Sequence, residues 1–500
     1  KDELETHINE RRCPTNTCTK IIPPPCQRAC PIGMDVPTYV GLIAERRFDE
    51  ALEVIRWDNP LPAVCGRVCP HGCEYECKRG TIDTPISICS LKRFVVDYQR
   101  ARGTDVIPKR ETQRMEKVAV IGSGPAGLTV AHDLALWGYG VTIFEALPQA
   151  GGMLRSGIPG YRLPRDVLEI EIDVIRKLGV EIKTGLPVGS SAILLDNLSK
   201  QFNAVFLSIG AHKGLKLGVP GEDSFEGSLD CITFLRGVNI EGNLKKPGDK
   251  VAVIGGGNAA MDAARTAVRL GCAEVNVIYR RSRVEMPADQ SEIEAAIEEG
   301  IKFHYLAQPT RVLGERGKVT GIECIRTELG QPDLSGRRRP VPVEGSEYVV
   351  DCDVVIPAIS QAPDLGFLMK SHGFKLTALG TIEVNPDTLE TSVRGVFAGG
   401  DAVSGPATVI EAIAAGQRAA VSIHNYLRKG EDHKNYRIPM SYKKIPRVGL
   451  TDEEKSSLRR PEMPHIQVAE RKVSFSEVAL GLTAEAAVNE AKRCLRCDLE

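Results

Sequence analysis

No stretch of this 500-residue chain approaches about 18 uninterrupted apolar residues, so nothing in it reads as a bilayer-spanning helix. Neither sign of charge is in excess: 64 Lys and Arg face 65 Asp and Glu, a formal net charge of -1. That balance provides no global field to draw in nucleic acid or an anionic membrane surface. A G-x-S-x-G nucleophile turn is missing, and so are tandem repeats. The chain starts at Lys1 with neither a Met nor an apolar run, which offers no signal peptide and suggests a fragment or a processed chain. Lys1-Asp2-Glu3-Leu4 spells an endoplasmic-reticulum retention signal, but that signal acts only at a C-terminus.

What is present is enough core for about three domains, with 42% hydrophobic and 26% charged residues. The 15 cysteines are clustered: nine lie between Cys13 and Cys89, and Cys494 and Cys497 stand together near the end. A disulfide framework belongs to small secreted chains that lack a core. Clustered cysteines in a large chain read instead as metal ligands in a reducing, cytoplasmic compartment. Residues 1–35 read as Cys- and Pro-rich loop, and residues 36–59 as one helix with Tyr39, Leu42, Ile43, Phe48, Leu52 and Ile55 near 3.6-residue spacing. Residues 60–85 are expected to be loop, broken by Gly66, Pro70 and Gly72, and residues 88–100 helix. Strand–glycine–helix units follow, the pattern of an α/β fold with parallel sheets, and a last helix begins near Thr483.

That unit occurs twice. Lys117–Ile121 precedes Gly122-Ser123-Gly124-Pro125-Ala126-Gly127 and a helix, and the next strand ends in Glu145. Glycines there let a pyrophosphate approach the helix N-terminus, and the acid accepts from a ribose hydroxyl. Farther on, Gly400-Asp401 repeats a small-residue strand end with an acid, and Thr408-Val409 opens a helix whose positive end can face a flavin's pyrimidine oxygen. In the second unit Lys250–Ile254 precedes Gly255-Gly256-Gly257-Asn258-Ala259-Ala260, and the following strand ends in Arg280-Arg281. Arginine there suits a 2′-phosphate and favours NADP(H) over NAD(H); in the alternative reading the arginines are solvated and Glu285 binds a bare ribose. Two nucleotide units in one chain imply that a nicotinamide exchanges hydride with a flavin, FAD.

The phrases Gly151-Gly152-Met153-Leu154, Gly157-Ile158-Pro159, Tyr161-Arg162-Leu163-Pro164, Tyr279-Arg280-Arg281 and Glu285-Met286-Pro287-Ala288 carry a resemblance. The chain resembles the pyridine-nucleotide-disulfide oxidoreductase superfamily, and within it the small-subunit family of glutamate synthase. That family is shared with the large subunit of NADH-dependent ferredoxin:NADP oxidoreductase and the N-terminal half of dihydropyrimidine dehydrogenase. The disulfide-reductase branch is disfavoured because no C-x-x-C lies in either nucleotide unit. The resemblance implies FAD in the first unit, with Gly152 and Arg162 among its contacts, and NADPH in an inserted second domain. The implied order is a tail at 1–25, a mainly α-helical iron–sulfur domain at 26–112, FAD domain at 113–225 and 376–430, NAD(P)H domain at 226–375 and a returning tail at 431–500.

It also implies two [4Fe–4S] clusters; soft thiolates in fours suit iron–sulfur clusters or structural zinc, and the neighbouring flavin favours the redox-active choice. In relatives a C-x2-C pair precedes the Cys26 equivalent, whereas here the matching phrase, Glu490-Ala491-Lys492-Arg493-Cys494-Leu495-Arg496-Cys497, stands at the other end. The expected arrangement is permuted, with Cys494 and Cys497 folding back to join Cys26 and Cys77; the alternative is the stub of a truncated ferredoxin domain. The second cluster would use Cys30, Cys69 and Cys73. Its fourth ligand in relatives is a Glu or Gln, but the matching residue is Lys92, a cation without an acceptor. Cys89, one turn earlier on the same face, is the candidate substitute and Cys65 the runner-up. Upstream, His7, Cys13 and Cys18 resemble the tail of the flavoprotein subunit of NADH dehydrogenases and bifurcating hydrogenases, where such residues hold zinc. Alternatively Cys13 and Cys18 are the missing pair of the first cluster.

The expected function is an electron-transfer subunit with no substrate chemistry beyond electrons. It would move hydride between NAD(P)H and FAD, and single electrons through clusters to or from a partner redox subunit or ferredoxin, as part of a larger or bifurcating complex. The competing readings are a glutamate synthase small subunit and a non-catalytic iron–sulfur scaffold.

Overall fold

A computed structural model of the chain describes residues 23–103, 107–189, 195–333, 336–368, 373–428, 445–451, 453 and 457–499. His7, Cys13 and Cys18 lie outside the described residues.

Strand-forming runs such as Lys117–Ile121 and Lys250–Ile254 are Val, Ile and Ala beyond their first residue, buried on both faces, as central parallel strands require. The first sheet is parallel throughout, in the order Val396–Ala398, Ala204–Leu207, Lys117–Ile121, Gly140–Phe144, Glu181–Lys183. A second parallel sheet runs Val354–Pro357, Lys250–Ile254, Glu274–Tyr279, Lys302–Tyr305. The second unit is an insertion: the chain leaves the first sheet after Ala204–Leu207 and returns beside that same strand with Val396–Ala398. An antiparallel sheet of Ala307–Glu315, Lys318–Pro332, Arg338–Pro342 and Tyr348–Asp351 flanks the inserted unit. These two α/β units, preceded by a mainly helical domain, match the expected fold class. Among the described residues no helix is long and apolar enough to cross a membrane.

The helical domain departs from the sequence reading in three places, the smallest being a four-residue helix, Pro25–Arg28, within the loop expected over residues 1–35. The single helix expected over residues 36–59 is two, Val36–Ala44 and Phe48–Asp58. The first ends where Arg46 turns left-handed (φ 60°) and the Arg47 N–H donates to the Leu42 carbonyl at 2.9 Å. This is a Schellman-type closure that apolar periodicity does not reveal. The loop expected over residues 60–85 contains a helix, Pro62–Val68, straight through Gly66. Gly66 is there for contact rather than for breaking: a Cβ on it would stand 2.9 Å from Cα of Arg93, on the neighbouring helix Ile88–Ala101. Small residues let helices approach this closely, and each such glycine in a helix costs only about 1 kcal/mol.

Buried polar contacts seat this domain on the first α/β unit. Glu171, inaccessible to solvent, pairs with Arg56 at 3.4 Å and accepts from the Ala63 N–H at 3.0 Å. Gln417 Nε2 donates to the Asp58 carbonyl at 2.7 Å.

Candidate functional site

A cavity of about 620 Å³ opens where the first sheet ends at its glycine turn. That size is within the range of cofactor pockets. Of the residues expected on the flavin side, Gly122, Gly124, Pro125, Ala126, Glu145 and Gly152 line it. Arg162, Gly400, Asp401, Thr408 and Val409 line it as well. Gly127 lies just beneath, where a Cβ would meet the Gly122 carbonyl oxygen at 2.1 Å. Glu145 is preset to bind: its carboxylate accepts from the Ser123 N–H at 2.9 Å and the Leu147 N–H at 2.8 Å. Burial pushes the Asp401 carboxyl up to about 6. Thr408 caps the helix Val409–Leu427 in a capping box with Glu411, so that helix's N-terminus faces the cavity.

Asn258, Ala259 and Asp262 of the inserted unit line the same cavity, which therefore reaches the first turn of the helix that follows the second glycine turn. The Gly255–Gly257 turn lies behind it and opens the helix Asn258–Arg269. Asn258 also anchors the Met286–Asp289 phrase by accepting from the Asp289 N–H at 3.0 Å. The two strand-end arginines part company. Arg280 is exposed, whereas Arg281 is buried and already engaged, donating to the Arg338 carbonyl at 2.7 Å and pairing with Asp333 at 2.6 Å. The antiparallel sheet that holds Arg281 has no counterpart in the sequence reading. Arg162 is similarly committed: it lies 2.9 Å from both carboxylate oxygens of Asp262 and 3.0 Å from Glu292, and so ties the first unit to the inserted one. Burial raises Asp262 to about 6 despite that partner.

Eight of the described cysteines fall into two groups. Cys26, Cys77, Cys494 and Cys497 surround one small cavity, and the other three sulfurs all act on Cys26. The C-terminal pair is carried there by the helix Ala484–Lys492, N-capped by Thr483. Glu490, fully buried, accepts from the Ser87 N–H at 2.7 Å and pairs with Arg493 at 2.8 Å. Arg493 in turn reaches Asp83 at 2.9 Å and the Thr84 carbonyl at 2.7 Å. Burial pushes the Cys494 thiol up to about 12.

Cys30, Cys69 and Cys73 line a second cavity together with Tyr39 and Lys92. Cys89 sits within sulfur hydrogen-bonding reach of Cys69 and Cys73. Cys65 is packed in the hydrophobic core, where burial pushes its thiol up to about 12 and Asn59 bonds it. His71, in the left-handed region at φ 59°, and Glu74 bring ligand atoms within 4.8 Å of the Cys89 sulfur and of each other, which the spacing of cysteines alone did not point to. Glu74 is otherwise held, accepting from the Cys89 N–H at 2.9 Å and pairing with Arg460 at 2.7 Å. Every described cysteine is a free thiol. Four sulfur donors around one cavity and three around the other, with Cys89 buried nearby, suit thiolate-bound iron.

The three cavities lie in series. Pro70 and Thr408 line both the main cavity and that of Cys30, Cys69 and Cys73. Val36 and Ile88 line both of the thiol cavities. Val68 and Pro70, which flank Cys69, reach the main cavity from the helical domain, as His212 and Arg236 do from the α/β side. Val68, His212 and Arg236 were not marked in the sequence, and Pro70 was marked only as a helix breaker; the Cys-Pro junction at Cys69-Pro70 was the one available signal.

A nucleotide turn in each α/β unit, one shared cavity and thiol sets beside it define an oxidoreductase that exchanges electrons between a dinucleotide, a flavin and metal centres. The chain belongs to the pyridine nucleotide-disulphide oxidoreductase family, whose signature covers residues 116–416, and residues 3–104 match dihydropyrimidine dehydrogenase domain II, 4Fe–4S cluster. It thus carries an FAD- and NADP-binding oxidoreductase domain and a 4Fe–4S domain, and it is an enzyme. It is 46% identical over 500 residues to the NADP(+)-dependent formate dehydrogenase subunit beta of Moorella thermoacetica, covering 95% of this chain and 70% of that protein. Against the glutamate synthase [NADPH] small chain of Escherichia coli the identity is 34% over 434 residues, 84% of this chain and 92% of that one. In fold it resembles Mycobacterium tuberculosis FprA in complex with NADPH, with a TM-score of 0.54 at 20% identity over 63% of this chain and 85% of that chain. The resemblance read from the sequence phrases is borne out.

Proposed function

We propose that the chain is the nucleotide-oxidising or nucleotide-reducing subunit of a larger cytoplasmic redox complex. In this reading Gly122, Gly124, Gly127, Glu145 and Gly152 hold FAD, and Gly255, Gly257, Asn258 and Arg280 hold NADP(H). One [4Fe–4S] cluster sits on Cys30, Cys69, Cys73 and Cys89, and another on Cys26, Cys77, Cys494 and Cys497. A bound flavin supplies the exchange between two-electron hydride transfer and one-electron steps. The series of three enclosed cavities carries the reading, because adjacent cavities share lining residues. Asn258 and Ala259 bring the second nucleotide unit into the first unit's enclosure, and Val68 and Pro70 seal the side toward the nearer thiol set. Zinc at His7, Cys13 and Cys18 remains the proposal for the tail.

Of the competing readings, a formate dehydrogenase-type partner is favoured over a glutamate synthase one by the higher identity over more of the chain. Membership of an oxidoreductase family sets the scaffold aside. Anaerobic purification with FAD, iron and sulfide assayed together tests the whole reading, with about eight irons and one FAD expected per chain. NADPH added under argon should bleach the flavin; an unbleached flavin rejects the reading.

Two substitutions probe the nucleotide sites separately. G127A would place its Cβ 2.1 Å from the Gly122 carbonyl oxygen, a backbone atom, and 2.6 Å from Ser208 Oγ. Overpacking costs about 1–3 kcal/mol, so FAD affinity should fall about ten- to hundredfold, read as flavin retained after gel filtration. For Arg280→Ala, loss of a charge-assisted phosphate contact is worth about 1.5–3 kcal/mol. The KM for NADPH should then rise about ten- to hundredfold while that for NADH stays within about twofold. Equal changes for both nucleotides would show that Arg280 does not read the 2′-phosphate.

A further inference from the structure

Tyr39, on the helix Val36–Ala44, is completely buried, and its hydroxyl has no hydrogen-bond partner among the described residues. An unsatisfied buried hydroxyl costs about 1–3 kcal/mol, so whatever fills the neighbouring cavity is expected to supply an acceptor. Tyr39 lines the cavity of Cys30, Cys69 and Cys73, and the sulfurs acting on its hydroxyl are those of Cys73, Cys89, Cys26 and Cys30.

Lys92 lines the same cavity from the helix Ile88–Ala101 and is 3% exposed. It forms no ion pair with any described carboxylate. Its ammonium shares that cavity with the proposed ligands Cys30, Cys69 and Cys73. A buried ammonium without a carboxylate is tolerable only where another anion compensates it, and four thiolates around iron are such an anion.

We propose that Tyr39 and Lys92 are positioning residues that raise the reduction potential of the cluster on Cys30, Cys69 and Cys73: the hydroxyl donates to one of its sulfurs, and the ammonium adds a fixed positive charge beside it. Reduction makes a cluster more negative, so a donor and a cation both favour the reduced form. This cluster is the one beside the flavin cavity, so the pair governs how readily an electron leaves the flavin. The inference rests on the ligand assignment proposed above.

The test is an anaerobic redox titration of the purified holoprotein followed by electron paramagnetic resonance, on the wild type, Y39F, K92Q and K92R. In K92Q the reduced-to-oxidised ratio of one cluster at fixed potential should fall about tenfold, which for a one-electron couple is about 59 mV. Y39F should shift the same cluster in the same direction by about threefold, and K92R should stay close to wild type, with the second cluster signal unmoved throughout. If K92Q loses iron, Y39F and K92R decide on the same criteria. Y39F and K92Q proteins with full iron content and unmoved potentials, or shifts confined to the other cluster, overturn the inference alone. A wild-type protein with a single cluster signal overturns the ligand assignment and this inference with it.

Discussion

Replacing Cys494 and Cys497 together by serine is expected to halve the iron content, from about eight to about four per chain, with FAD retained. Serine keeps the size of cysteine and gives up the soft donor, so it removes the ligands without removing the helix that carries them. That helix is fixed independently of any metal. Glu490 and Arg493 are both fully buried and meet Ser87, Asp83 and Thr84, far away in sequence. The double variant should therefore fold and bind FAD, since none of these groups touches the main cavity. NADPH should still bleach its flavin, while electron delivery to an external one-electron acceptor falls at least tenfold. If the pair were the stub of a separate ferredoxin domain, iron content would stay at the wild-type value. Iron, sulfide and flavin assays on the same sample separate the two outcomes, and electron paramagnetic resonance shows which cluster signal is lost.

Much of this was legible because the chemistry is local. A pyrophosphate-binding turn needs strand, glycines and helix in order, and both copies stand where that order put them. The C-terminal pair was legible for another reason: its phrase matched a relative's phrase out of place, which left folding back as the way to complete a set. What the sequence hid depends on partners distant along the chain. Gly66 reads as a breaker until Arg93 is known to press against it. Arg281 reads as a phosphate ligand until a flanking sheet offers it the Arg338 carbonyl and Asp333. Arg162 lines the main cavity, and its guanidinium is also tied to Asp262 of the inserted unit, which its phrase did not reveal. In each case a side chain of the right type sat at the right spacing, and tertiary neighbours decided its use. Val68 and Pro70 carry no chemistry of their own; Pro70 matters because it lines both cavities, and Val68 because it lines the main one from the helical domain.

The largest loss of stability is expected from Glu299, a residue that touches neither nucleotide turn nor thiol. It follows the helix Gln290–Glu298, is about 1% exposed, and pairs with Arg265 at 2.7 Å and Arg269 at 2.8 Å. Arg269 lies 3.8 Å over the ring of Tyr161 from the first α/β unit, and Arg471 of the returning C-terminal segment approaches Glu299 at 3.6 Å. One carboxylate thus holds charge from the inserted unit and from the C-terminal segment where both meet the first unit. Burial opposes its ionisation, but the two guanidiniums prevail and keep its pKa below the usual carboxylate range. The stabilisation it provides is therefore full above the ordinary glutamate pKa and lost as pH falls through the lowered native value. Glu299→Ala leaves the buried Arg269 guanidinium without a carboxylate, while Arg265 keeps Glu292, a change that costs about 3–5 kcal/mol. Urea unfolding of the anaerobic holoprotein should show that loss, whereas Glu485→Gln, which breaks an exposed pair with Arg46, should leave the midpoint where it was. Adding Arg269→Met to Glu299→Ala should recover part of the loss, because removing an orphaned charge is favourable where restoring its partner is not available. A Glu299→Ala protein as stable as wild type would mean that water reaches these guanidiniums in solution, and that the three segments are held together by apolar packing instead.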